Sequence, residues 1–267
     1  MERPERTGFI QVEKLKVEIY RDQETAGRAA GYDAAAALTS LARQAGDIGV
    51  IFATGASQFE TLKALTAIPG LPWPRVLGFH MDEYQGMSPD HPASFRRYLR
   101  ERLTSKVPMK QFHEVDGTAG NFEQYCKEYA AKLRAANPQL CLLGIGENGH
   151  LAFNDPPVAD FHDPEDMKLV TLDAECKQQQ FAEGWFKTLE DVPSRAATLT
   201  IPTLMRVPQL IASVPGPRKT HIVYRALTEP IATACPATLL RTHPNCTVYL
   251  DEDSAKELRA SSLPITA

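Results

Sequence analysis

The sequence predicts an α/β fold, a doubly wound and mostly parallel sheet with helices on both faces. Three observations predict it. Apolar runs of strand length, such as Ile48–Ala53 and Leu140–Ile145, recur along the chain. Segments of helical period separate them. Glycine-bearing turns follow several of the runs, where open α/β sheets bind their ligands.

Taken in order, Lys16–Tyr20 reads as a strand, and Asp22 can cap an Ala-rich helix running to about Gln44. Ile48–Ala53 is the second strand, then Thr54-Gly55-Ala56-Ser57 leads into a helix from Gln58 to Thr66. Arg75–Met81 is a strand, Pro92–Leu103 a helix, Asn121–Ala136 a helix and Leu140–Ile145 a buried strand. In the second half Lys168–Leu172 reads as a strand, Asp173–Lys187 as a helix, and Ala197–Ile201 and Gln209–Val214 as strands. Pro217–Leu227 is a helix and Thr247–Leu250 the last strand. The Pro-rich stretch Asp155–Pro164 is long enough for a lid or site wall. No linker or repeat divides the chain, so residues 1–267 are expected to form one domain.

With 43% hydrophobic and 23% charged residues, the composition is that of an ordinary globular protein. A net charge of −4 gives no general attraction to nucleic acid or anionic membrane, so an anionic substrate needs a local cluster of donors. The five cysteines lack CxxC spacing, which argues for reduced thiols in a cytoplasmic protein and against a zinc site. The charged start Met1–Arg6 has no apolar segment behind it, and no run is long enough to cross a bilayer.

Four strand ends carry candidate chemistry. In Gly144-Ile145-Gly146-Glu147-Asn148-Gly149-His150, the turn delivers one histidine, with Asn148 and Asp155 near enough to orient it. His150 reads as a general acid/base or as a turn histidine bonded to backbone. Thr54–Ser57 reads as an anion-binding nest at a helix N-terminus or as a plain cap at Ser57. It is neither a Walker loop nor a dinucleotide fingerprint. Asp82 and Glu83 are adjacent carboxylates at a strand end, where one can serve as a base while the other pairs structurally. Arg96, Arg97 and Arg100 read as a solvated helix face. Lys219 opens a helix, a position the dipole disfavours unless an anion is shared; the other reading is a solvated lysine.

The segments ATGASQFETLKAL, FHMDEYQGMSPDHPASF, LLGIGENGHLAFNDP and SVPGPRKTHIVYRAL together resemble the glucosamine-6-phosphate deaminase family, in its order, from about Lys16 to Ala255. The related 6-phosphogluconolactonases typically carry a DER-type and a GxDGHTASLFP-type segment instead. The resemblance implies a cofactor-free, metal-free conversion of glucosamine 6-phosphate and water to fructose 6-phosphate and ammonia. By position, His150 would open the sugar ring and Asp82 would move a proton between C2 and C1. Asn148 and Asp155 would attend His150. Thr54, Gly55, Ala56, Ser57, Glu83, Gln180 and Lys219 would bind substrate. The partner is a small sugar phosphate, and relatives from monomers to hexamers leave a homo-oligomer open.

Three positions depart from the family pattern. Asn148 stands where many members have Asp, Asp155 where they have Glu, and Gln180 near a phosphate-binding arginine. Loss of that arginine removes a bidentate contact. Arg195, Arg206 and Arg225 are candidate substitutes, and Thr198 and Thr200 candidate site residues. The loop Pro156–Pro164 and its neighbours are acidic, through Asp160, Asp163, Glu165 and Asp166, where members activated by N-acetylglucosamine 6-phosphate use basic residues. No such activation is expected. The alternatives are another sugar-phosphate isomerase or a lactonase on this fold, or a non-catalytic sugar-phosphate sensor.

Overall fold

The computed structural model describes residues 2–44, 46–182 and 184–266. The chain opens with an antiparallel hairpin of β1 (Gly8–Val12) and β2 (Leu15–Tyr20). Asp22 caps α1 (Gln23–Leu41), its Oδ1 accepting from Thr25 N at 2.7 Å. Then follow β3 (Ile48–Phe52), α2 (Phe59–Ala67), β4 (Val76–His80), β5 (Asp82–Tyr84), α3 (Phe95–Leu99), β6 (Gln111–His113), α4 (Phe122–Ala136) and β7 (Leu140–Leu143). The second half holds β8 (Met167–Thr171), α5 (Ala174–Ala182), β9 (Arg195–Leu199), α6 (Ile201–Met205), β10 (Gln209–Ser213), α7 (Thr220–Thr228), β11 (Cys246–Asp251) and α8 (Lys256–Ala260).

The main sheet has eight strands in the order β1-β2-β11-β10-β7-β3-β4-β6. Every pairing in it is parallel except the β1–β2 hairpin at one edge. Strand alternation feeds two cores. Ile48, Val50 and Phe52 join Leu140 and Leu142 on the face covered by α1 and α2. Ile51 joins Cys141 and Leu143 on the face covered by α4 and α7. From β3 the chain moves outward to β4, whereas β7 leads the other way to β10 and β11. The gap between the carboxyl ends of β3 and β7 is therefore a topological switch point, where such sheets bind ligands.

The expected α/β sandwich is present, with corrections. The strands expected over Lys168–Leu172 and Ala197–Ile201 form as β8 and β9, but they pair antiparallel with each other, and β9 with β5, in a separate three-stranded sheet. A third core of Tyr84, Phe153, Val170, Phe186 and Ala196 lies beneath it. The helix expected over Asp173–Lys187 is shorter. Residue 183 lies outside the described residues, and Gly184, at φ 82°, adopts the left-handed geometry that ends helices. The helix expected over Pro92–Leu103 begins only at Phe95, after Ser94 caps Arg97 N. No helix among the described residues is long and apolar enough to cross a membrane.

Candidate active site

Two turns of the same build open the switch point. After β3, Gly55 takes φ 92° and a 3-10 turn, Ala56–Gln58, leads into α2. After β10, Gly216 takes φ 98° and a 3-10 turn, Pro217–Lys219, leads into α7. The positive φ favours glycine, and the first N–H groups of a helix have no partner within the helix. No side chain caps either turn, so Ser57 is not the helix cap; its Oγ instead accepts from Gln58 Nε2 at 3.1 Å. Thr54, Gly55, Ala56, Ser57 and Lys219 line one cleft of about 680 Å³.

Asp82 and His150 line the same cleft. Asp82 sits on β5, 6% exposed, and its Oδ1 has no hydrogen-bond partner. Burial, with the Glu83 charge adding to it, pushes its carboxyl well above the ordinary range. Glu83 does not reach the cleft, which corrects its expected role in substrate binding. Successive strand residues face opposite ways, so with Asp82 inward Glu83 points behind the site. There it accepts from Tyr84 N at 3.0 Å, Ser94 Oγ at 3.0 Å and Arg96 N at 3.1 Å. Burial lifts its carboxyl to about 7 against these bonds.

Arg96 is likewise buried at 5%, not solvated as expected. Its guanidinium binds Asp116 at 2.7 Å and the Met87 carbonyl at 2.7 Å and lies 3.8 Å from Glu83. A charge this deep is tolerated because it is paired. Arg97 and Arg100 are partly exposed.

His150 is held from behind. Its Nδ1 lies 2.8 Å from both Asn148 Oδ1 and Asp155 Oδ1. Asn148 Oδ1 also accepts from His150 N at 3.0 Å, while its Nδ2 donates to Asp155 at 2.9 Å. Two acceptors at Nδ1 assign the neutral ring's proton there and leave Nε2 as the basic atom. The ring lies flat on Gly146: a Cβ at that position would stand 2.2 Å from Nε2. Asp155 is only 1% exposed, and its shorter side chain still reaches His150. Burial alone would raise its carboxyl, but the bonds from His150 and Asn148 hold it below the usual range.

Cys176 lies against Asp155, and with His150 these side chains form a trio whose ligand atoms are within 4.8 Å of one another. Metal binding would need the thiolate, and burial beside Asp155 pushes this thiol far upward. The donor set therefore suits hydrogen bonding better than metal ligation.

Gln180 lines the cleft with its Oε1 committed to the Tyr84 hydroxyl at 2.6 Å. Arg195, Arg206 and Arg225 do not line it; Arg206 pairs with Asp166, and Arg225 with Glu229 at 2.8 Å. Thr198 and Thr200 are buried behind it, bonding Phe153 N at 3.0 Å and the Glu165 carbonyl at 2.8 Å. Sequence reasoning missed Phe59, Tyr98 and Arg102, which line the cleft beside Gly55. The signal for Tyr98 and Arg102 was a basic helix directly after His91-Pro92, and that for Phe59 its place directly after the Thr54–Ser57 turn.

Residues 21–249 match the family described as glucosamine-6-phosphate isomerases/6-phosphogluconolactonase. A glucosamine-6-phosphate deaminase of an Exiguobacterium species is 35% identical over 186 residues, 70% of this chain and 71% of that one. That of Shouchella clausii is 32% identical over 228 residues, 83% and 90% of the two chains. A solved monomeric glucosamine-6-phosphate deaminase superposes with a TM-score of 0.82 at 25% identity, covering 90% of this chain and 98% of that one. The chain belongs to the glucosamine-6-phosphate isomerase/6-phosphogluconolactonase family.

Proposed function

We propose that the protein is an enzyme that converts glucosamine 6-phosphate and water to fructose 6-phosphate and ammonia. The observation that carries this reading is an acid, Asp82, and a separately held histidine, His150, facing one cleft that two glycine turns at helix N-termini open. The phosphate takes the Thr54–Ser57 turn and Lys219, where N–H groups and a cation meet it. His150 Nε2 transfers the proton at the ring oxygen, and Asp155 stabilises the charge that its ring gains. Asp82 takes the C2 proton of the open-chain sugar and returns it at C1. The resulting C2 imine is hydrolysed by water to the ketone and ammonia.

The raised pKa of Asp82 fits a substrate that brings its own cation. An ammonium group at C2 supplies the opposite charge that favours the carboxylate. A lactone ring carries no such cation. Hydrolysis of a lactone remains the second reading, because Asn148 and Gln180 depart from the deaminase pattern. The site draws on residues from Thr54 to Lys219, so we read residues 1–267 as one domain. Five buried, unpaired cysteines fit a reducing, cytoplasmic setting.

The test is to measure ammonia and fructose 6-phosphate released from glucosamine 6-phosphate, with Asp82→Asn as control. Equal release of both, reduced about 10²–10⁴-fold in the variant with modest loss of binding, is expected. Release that survives in Asp82→Asn removes Asp82 as the base. Lactone hydrolysis without ammonia replaces the reading with the second one.

A further inference from the structure

We infer that Arg102 is the guanidinium that binds the substrate's phosphate in this chain. The inference deepens the proposed function and rests on it for the identity of the substrate. Position 180 cannot fill the role: it carries a neutral amide, held at 2.6 Å by the Tyr84 hydroxyl.

Four cationic side chains line the cleft, Arg97, Arg102, Arg218 and Lys219. Arg97 is committed to Glu101 at 2.7 Å and to the Asp90 carbonyl at 2.9 Å. Arg218 is committed to Glu147 at 2.8 Å. Arg102 differs. Its one polar contact among the described residues is Glu101 at 3.4 Å, a weak one. It is held by ring faces instead, with Cζ 4.6 Å from the centroids of both Phe59 and Tyr98.

Both rings adjoin the Thr54–Ser57 turn from different helices, α2 and α3. Phe59 is the first residue of α2, directly after Ala56–Gln58, and the Tyr98 hydroxyl donates to the Gly55 carbonyl at 2.8 Å. The rings stack on each other 5.7 Å apart at 17°. Arg102 is thus fastened to the turn through its carbon framework and guanidinium face, while its N–H edge stays available. A planar donor fork fixed beside a helix N-terminus matches a phosphate in shape and charge.

The experiment is a thermal-shift titration of wild type, Arg102→Met and Arg102→Ala with inorganic phosphate, beside steady-state kinetics on glucosamine 6-phosphate. Methionine keeps an unbranched stem against Phe59 and Tyr98, so a purely structural role would leave that variant close to wild type. The expected result is a rise of about tenfold or more in half-saturating phosphate for both variants. KM should rise in parallel, with kcat changed by less than about threefold. An Arg102→Met that binds phosphate within about twofold of wild type overturns the inference, as does a wild type that binds none. A wild type that binds phosphate through Arg102 but releases no ammonia overturns the deaminase reading and leaves Arg102 supported.

Discussion

Asp82 couples activity to stability. Its folded-state pKa lies above the unfolded one because burial, then the Glu83 charge, penalise the carboxylate. The stability Asp82 contributes is complete below the ordinary carboxylate range and is lost as pH climbs through the folded value. Asp82→Asn carries no such loss. The variant should melt about 2 °C or more above wild type at neutral pH, with the gap closing in acid. Melting curves at several pH values check this, and an equal Tm at neutral pH would show that burying the Asp82 charge costs the fold nothing. The same shift places the acid limb of kcat/KM above the usual carboxylate range. His150 depends on a neighbour in another way. Its ring rests on Gly146, where a Cβ would stand 2.2 Å from ring atoms. Gly146→Ala should displace the ring and lower kcat/KM about 10²-fold. Phosphate binding should stay intact, and phosphate titration of the same variant separates the two effects.

Between elements, the close approach of α1 and α2 sets where the Thr54–Ser57 turn stands. A Cβ on Gly27 would lie 2.4 Å from Glu60 Cβ, and one on Gly31 2.8 Å from Ala64 Cβ. These glycines, one turn apart on α1, let α2 press close, and α2 carries the Ala56–Gln58 turn at its start. Gly27→Ala should cost about 1–3 kcal/mol by overpacking, although alanine suits a helix better. It should also raise KM by tilting the turn, and urea unfolding with steady-state kinetics reads both. An unchanged midpoint would show that α2 yields without strain. The helix pattern was legible because Ala-rich periodicity and the Asp22 cap are local signals. The close contact was not, since nothing local tells a packing glycine from any other. The same holds for Arg102: its charge is plain in sequence, but the two rings that hold it come from α2 and α3.

Across the whole molecule, the parallel sheet was readable because buried strands are apolar runs. Two strands of the small antiparallel sheet were readable too, but its third strand and its pairing were not. Asp82–Tyr84 is polar and only three residues long, and its partner strand lies more than a hundred residues away. That sheet nevertheless aims Asp82 into the cleft, so its geometry decides which of the two carboxyl groups lines it. It also fixes the acidic segment after Asp155. Asp163 pairs with Lys168 of β8 at 2.7 Å. Asp166 bonds Arg134 of α4 at 2.6 Å and, just after α6, Arg206. The acidic groups are thus spent on holding the loop to β8, α4 and α6, and they tie up the cations that a phosphate effector would need as donors. N-acetylglucosamine 6-phosphate should therefore leave the substrate saturation curve unmoved at concentrations that do not compete for the site. A leftward shift of that curve would mean that the loop rearranges to expose Lys168, Arg134 or Arg206, each now tied to a carboxylate. Charge reversal at Asp166 would then distinguish the cases, since freeing both arginines should strengthen activation in a loop that rearranges and do nothing in one that does not.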